Sequence, residues 1–317
     1  LKAGKNRTEI QKALDQAPTD QKPGMRFLVA YMPERDLKSL TATFLLDQTR
    51  YAYKAWRAAA WTEQVPEAVF FNDVLPYASI NERRDNWRAD FYKRFAPVVE
   101  KAKTPGEAAT LLNRTIFGKV KVRYSTGRPK ADQSPYESIE SGLASCTGLS
   151  VLLIDACRAV GVPARFVGTP LWADGSGNHS WIEVYHKGDW HFTGAAEPTG
   201  NQLDRAWFLG RASKALADHP RHAIFATSYK PTGHSFPMVW LPKATFVHAV
   251  NVTSRYLPRK SSPAGPDPAV SATALKSLTT WLKQVRDKRP PLHKQDFAKA
   301  ALTKPDSAKA KNLLWAD

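Results

Sequence analysis

The spacing of apolar residues divides the chain into a helical first part and a strand-rich second part. Leu37, Leu40, Phe44, Tyr51, Ala55 and Ala59 recur at helical spacing and predict a helix over 35–61. Pro66 and Pro76 bracket FFNDVL, which reads as a short connecting element. A second helix is predicted over about 82–96, where Trp87, Phe91 and Phe95 lie four apart. Pro97 should end or kink it. A third begins at Thr104. Thr104 and Glu107 form a Thr-x-x-Glu capping box, with Pro105 at the first helical position. Leu111, Leu112 and Ile116 continue its pattern to a stop near Gly118. KVKVRY (119–124) alternates as a strand, and a loop rich in Ser, Pro and Gly fills 125–145.

SCTGLSVLLIDACRA then reads as an apolar helix. Ser145 is its N-cap, Leu149, Leu152, Leu153 and Ala156 its buried side, and Gly161 its natural end. Beyond it the period becomes two. RFVGTPLW, HSWIEVY and DWHFT read as strands, the last two joined by a Lys187-Gly188 turn. MVWLPKATFVHAVNVTSRY (238–256) continues in that style. Pro263, Pro266 and Pro268 mark a linker, and Leu275, Leu278, Leu282 and Val285 share one face of a further helix. The expected organisation is a helical region over 1–85 packing on a core over 86–257, a linker over 258–272 and a basic helical tail over 273–317. The natural chain is expected to continue past Asp317, because the sequence stops inside an amphipathic pattern without a cap.

Composition narrows the class. Hydrophobic content of 43% and charged content of 24% suit a globular protein with a sizeable core. No stretch is apolar for the roughly 20 residues that span a bilayer. The net charge of +17 favours loose contact with anionic surfaces. Lys and Arg are scattered, with no arginine-rich run, zinc-finger spacing or RNA-binding signature, so specific nucleic-acid recognition is not expected. Neither a cofactor nor a metal is expected. The chain has no glycine-rich phosphate loop, no His-Glu-x-x-His and no Cys-x-x-Cys pair. A monomer is expected, and a mature secreted or periplasmic chain is favoured because the sequence opens without Met or a hydrophobic leader.

The chemistry centres on Cys146. As one of two cysteines it is a buried filler, half of a disulfide or a nucleophile. Cys157 lies eleven residues along the same helix, roughly 16 Å away, too far for a disulfide. Cys146 sits in the first helical turn, where free N–H groups and the positive end of the macrodipole favour a thiolate. The same N–H groups can hold an oxyanion. Thr147 and Gly148 are small and should leave the sulfur accessible. Of eight histidines, His179 stands out, because it opens a strand just after the glycine-rich ADGSGN. It is the candidate general base. By alternation it shares a face with Trp181, Glu183 and Tyr185, while Ile182 and Val184 share the other.

SCTGLSVLLIDACRAVGVPAR, then NHSWIEVY, then a hairpin into DWHF, resembles the transglutaminase-like superfamily over about residues 138–208. That family includes animal transglutaminases, peptide N-glycanases and bacterial thiol peptidases. The resemblance implies an α+β, papain/transglutaminase-like core, with the cysteine helix packed on an antiparallel sheet that bears the histidine. It implies Cys146 as nucleophile and His179 as base. Family members place an Asp four residues after the Trp of the next strand. Here that Trp is Trp190 and the position is Gly194. Glu197 is the nearest downstream carboxylate and takes the orienting role in this reading; Asp204 lies farther on. Thr147, Asn178, Trp181 and Trp190 are candidate substrate or oxyanion contacts, and Tyr136 and Glu137 are further candidates upstream.

The expected activity is thioester formation from a protein or peptide carboxamide or peptide bond, resolved by an amine acceptor or by water. The alternatives are a cysteine peptidase or amidase on the same core, a catalytically impaired binding module suggested by the missing Asp, and a surface adhesin driven by charge.

Overall fold

The computed structural model describes residues 2–258. The linker and tail predicted beyond Pro258, with their Leu275, Leu278, Leu282 and Val285 face, lie outside the described residues.

Helices α1 (Arg7–Gln16), α2 (Lys22–Tyr31), α3 (Glu34–Leu37), α4 (Ala42–Ala58) and α5 (Glu67–Asp73) enclose an apolar cluster around Met25, Leu28, Leu45, Ala52 and Phe70. The helix expected over 35–61 is therefore two helices. Thr41 interrupts it by starting a new one, its hydroxyl accepting from the Phe44 N–H at 3.2 Å. FFNDVL is not a connector, since its first four residues complete α5.

α6 (Arg88–Val99) begins six residues later than its pattern predicts and continues through Pro97. The stretch before it is fixed by side chains. The Glu82 carboxylate accepts from the N–H groups of Ser79 and Ile80 at 2.7 and 2.8 Å, and Arg84 donates to the Glu82 carbonyl at 2.8 Å. Pro97 falls in the last turn, where it cannot donate to the carbonyl four residues before it.

α7 (Pro105–Val120) carries the predicted Thr104 cap, but the Glu107 carboxylate reaches the Lys103 N–H at 2.8 Å instead of the cap residue's own. The helix absorbs the start of KVKVRY. Only β1 (Arg123–Tyr124) is extended, paired in parallel with β2 (Leu143–Ala144). The predicted loop over 125–145 holds α8 (Pro135–Ser141), started by a complete capping box between Ser134 and Glu137.

α9 (Cys146–Ala159) packs on a six-stranded sheet of β3 (Ala164–Thr169), β4 (His179–His186), β5 (Asp189–Thr193), β6 (Phe225–Ser228), β7 (His234–Ser235) and β8 (His248–Asn251). The order is β5-β4-β3-β6-β8-β7, with every neighbouring pair antiparallel. A short helix α10 (Leu209–Ala212) lies between β5 and β6. Lys187 and Gly188, both at positive φ (52° and 84°), close the predicted hairpin. Residues 238–256 are not strand throughout. Pro237 and Pro242 lack donors, the chain turns from Met238 to Leu241, and only β8 is extended. The result is the expected α+β arrangement, with the cysteine helix against an antiparallel sheet.

Register fixes two faces. Phe166, Ile182 and Val184 join the cluster under α9. Val167, Trp181 and Phe192 join a second cluster with Trp172, Phe208 and Tyr256.

Two buried arginines tie α9 to the rest. Arg88, 1% exposed, donates to Gln48 Oε1 and to the carbonyls of Leu75, Pro76 and Arg158 at 2.9–3.0 Å. Arg158 donates to the carbonyls of Asp73, Pro76, Ala78 and Ala164 at 2.9–3.3 Å. Replacing Arg88 with Met would orphan the Leu75 carbonyl and Gln48 Oε1 and leave the Pro76 and Arg158 carbonyls one donor fewer. We expect Arg88→Met to lose about 3–5 kcal/mol in urea unfolding followed by far-UV circular dichroism. A loss below about 1 kcal/mol would refute this role.

Candidate active site

Ser145 builds the head of α9 as the sequence predicts. Its hydroxyl accepts from the Gly148 N–H at 3.3 Å, and its carbonyl from the Leu149 N–H at 2.9 Å. The first-turn N–H groups of Cys146 and Thr147 have no intrahelical acceptor. The Cys146 side chain is half-buried. Gly148 does not shield or expose the sulfur. It packs under α8, where an added Cβ would lie 3.1 Å from Ala144 and 3.3 Å from the Ser138 hydroxyl.

Cys146, Ser145, Thr147 and Asn178 line a cavity of about 240 Å³. Val239, Trp240, Tyr124, Thr126, Arg128 and Ala131 complete its lining. The turns over 238–241 thus deliver an aromatic wall that a plain strand reading had missed.

His179 does not line this cavity. The pleat sends its neighbour Ser180 towards α9, where the Ser180 and Thr147 hydroxyls lie 3.2 Å apart. The His179 ring lies on the other face, with ring centroids 4.9 Å from Phe208, 5.0 Å from Trp207 and 5.8 Å from Trp181. It is 7% exposed, and its Nε2 is buried without a partner among the described residues. Among the described residues no hydrogen bond joins Cys146 to His179.

Both groups are held in their neutral forms. Burial pushes the Cys146 thiol up, opposed by backbone and hydroxyl groups of Ser180 and Thr147. This reverses the direction expected from the helix end alone. Burial, with Arg211 adding like charge, lowers His179 to about 4.

Glu197 sits where the missing Asp would project. A Cβ on Gly194 would overlap the Glu197 carboxylate and lie 3.1 Å from its Cβ. Burial raises the Glu197 pKa, with the Trp207 side chain opposing, and Oε2 is buried without a partner among the described residues. Asn113 of α7 anchors this loop. It donates to Thr193 Oγ1 at 3.1 Å and to the Gly194 carbonyl at 2.8 Å, and accepts from the Ala196 N–H at 2.9 Å. An asparagine inside an apolar helix was the available signal for it. Asp204 is tied to His191 at 2.6 Å instead of to His179.

The other candidates do not gather at the cavity. Trp181 is fully buried, its indole N–H donating to Tyr256 Oη at 2.8 Å. Trp190 lies over the Arg165 guanidinium at 3.8 Å. Tyr136 donates to Asp90 at 3.2 Å, and Glu137 closes the cap of α8.

Residues 93–194 match the family model of the transglutaminase-like superfamily core. The match starts in α6, runs through Cys146 and His179 and stops at Gly194. It reaches farther towards the N-terminus than the resemblance over 138–208. A solved chain from Cytophaga hutchinsonii, described as a candidate cysteine protease, is 21% identical with a TM-score of 0.30. The alignment covers 35% of this chain and 38% of that one, so this chain spans little more than a third of its length. No curated protein matches.

His179 makes stability depend on pH. Its unfolded pKa is 6.5 and its folded value about 4, so the unfolded chain binds the proton first on acidification. Its contribution is complete above pH 6.5 and is lost as pH falls towards 4, about 3 kcal/mol in all. Between pH 7 and 4.5 the urea midpoint of wild type should fall more steeply than that of His179→Gln. Parallel profiles would refute the buried neutral imidazole.

Proposed function

We propose that the transglutaminase-like domain of this chain is a thiol enzyme that forms a thioester from a protein or peptide carboxamide or peptide bond and passes the acyl group to an amine or to water. The observation that carries the reading is Cys146 in the first turn of α9, open to a cavity of about 240 Å³ with an aromatic wall.

In this reading the Cys146 proton passes to His179 as sulfur adds to the carbonyl carbon. The Cys146 N–H receives the developing oxyanion. Collapse expels the amine, which takes the proton from His179 and leaves a thioester. An amine or water then adds, giving its proton to His179, and the thiolate leaves and recovers that proton. The neutral thiol and imidazole mean that proton transfer accompanies attack, with no resting ion pair. His179 must turn towards the thiol. Glu197, in the Gly194 niche, would then accept from the imidazole and fix its tautomer.

A second reading is a binding module without turnover. The absence of a Cys146–His179 hydrogen bond among the described residues and the Gly at 194 favour it. One assay separates the two. A glutamine-rich protein is offered with a fluorescent primary amine, and incorporation and new fragments are scored for wild type and Cys146→Ala. Cys146-dependent incorporation supports a transamidase, and Cys146-dependent fragments alone support a peptidase. No Cys146-dependent product would leave the binding module. Glu197→Ala should lower kcat about 10- to 100-fold, and Gly194→Asp added to it should recover part of that loss.

A further inference from the structure

The lining of the cavity includes a cation with a donor to spare. Arg128 Nη1 donates to the Thr126 carbonyl at 2.7 Å, and Nε is buried and, among the described residues, without a partner. Nε is therefore closed to a ligand, and Nη2 is the donor left for one. Nη2 gives a carboxylate a charge-assisted hydrogen bond, stronger than one between neutral groups.

The surroundings agree on charge. Among the described residues no carboxylate side chain lines the cavity. The neighbouring cation, Lys130, is paired with Glu137 at 3.0 Å, whereas Arg128 makes no ion pair among the described residues. The loop is fastened to the head of α9, because the Ser145 hydroxyl donates to the Ala131 carbonyl at 3.0 Å. Trp240 is fixed as well, since its indole N–H donates to Asn81 Oδ1 at 2.8 Å. A volume of about 240 Å³ suits a group of one residue's size, below the usual drug-sized site.

We infer that the Cys146 cavity is an anion-reading acyl-donor site, in which Arg128 binds a carboxylate carried by a peptide within a residue of the attacked carbonyl. The carboxylate site stands on the geometry alone; its being an acyl-donor site rests on the proposed thiol-enzyme reading. Val239 and Trp240 then cover the apolar part of that residue, and Asn178 offers an amide to its backbone.

The test is run on the full chain with two small alkylating reagents of nearly equal size. Iodoacetate carries a carboxylate and iodoacetamide does not. Alkylation at Cys146 is followed by peptide mass spectrometry in wild type, Arg128→Gln and Arg128→Lys. The iodoacetate-to-iodoacetamide rate ratio should be about 10-fold or more higher in wild type than in Arg128→Gln, with Arg128→Lys between them. An unchanged ratio across the three would overturn the inference. This arm needs only an accessible thiol, so it does not depend on turnover. A second arm compares peptide donors that carry the carboxylate with their carboxamide counterparts. Arg128→Gln should lower kcat/KM for the carboxylate donors about 10- to 100-fold more than for the amides. One donor pair bears a chain-terminal carboxylate and the other an Asp or Glu side chain, and the pair with the larger drop names the source. Selective alkylation with no turnover of any donor would sink the thiol-enzyme reading and keep the carboxylate site. Turnover with an Arg128-independent ratio would do the reverse.

Discussion

Two guanidinium groups in the interior hold the cysteine helix in place. Arg88 and Arg158 spend most of their donors on main-chain carbonyls of the irregular stretch 73–78 and its neighbours. An irregular segment inside a protein leaves carbonyls that no ladder can satisfy, and a guanidinium with five N–H groups can serve several at once. Burial, with Arg158 alongside, lowers Arg88 to about 9, which leaves it charged at neutral pH. Asp155 is fully buried near both, and burial raises its pKa well above the usual carboxylate range against their opposing charge. The C-terminal end of α9 is thus locked to the N-terminal helices through Arg158, while Ser145 locks its N-terminal end. Fourteen residues of helix, about 21 Å, carry that rigidity to Cys146.

The sheet sets the second constraint through parity. A two-residue period sends Ser180, Ile182 and Val184 towards α9, and His179, Trp181 and Glu183 away from it. Glu183 is consumed by structure, accepting from Arg165 and from Tyr256 Oη at 2.7 Å. Thiol and imidazole thus start on opposite faces of one strand end. The backbone of His179 is paired with Thr169, and Cys146 lies in a capped first turn. Neither main chain can move freely, so any approach between the two groups belongs to their side chains.

What the sequence made legible follows from how local each signal was. The Ser145 cap, the Thr104 cap and the Lys187-Gly188 turn are decided within four residues, and each lies where the pattern put it. α8 had a local signal too, Ser134-Pro135-x-Glu137, hidden by the Ser and Gly content around it. Arg88 and Arg158 could not be recognised as interior, because burial of a charge depends on carbonyls far along the chain. The same holds for Asn113, whose partners lie about 80 residues away. At the site, Cys146 and Asn178 were each readable as candidates, and the structure lines one cavity with both, whereas Arg128 and Trp240 came there only through tertiary packing.

The loop after β5 shows why Glu197 is more than an Asp with one added methylene. Its backbone starts three residues beyond Gly194, so its carboxyl returns to the niche from another direction. Asn113 pins one end of the loop. Asp204 pins the other, accepting from the Phe192 N–H at 2.9 Å while its own N–H donates back to the Phe192 carbonyl at 2.9 Å. Just past the second anchor, Trp207 is 59% exposed, touches the His179 ring and acts on the Glu197 carboxyl. Among the described residues, Nε2 of His179 and Oε2 of Glu197 are both buried without partners. Each orphaned atom costs about 1–3 kcal/mol, so their pairing would release free energy. An exposed indole opposes such a movement less than a buried one, because it gives up little packed area. The free-energy balance around Trp207 therefore governs whether the imidazole stays among the aromatics or joins the carboxylate.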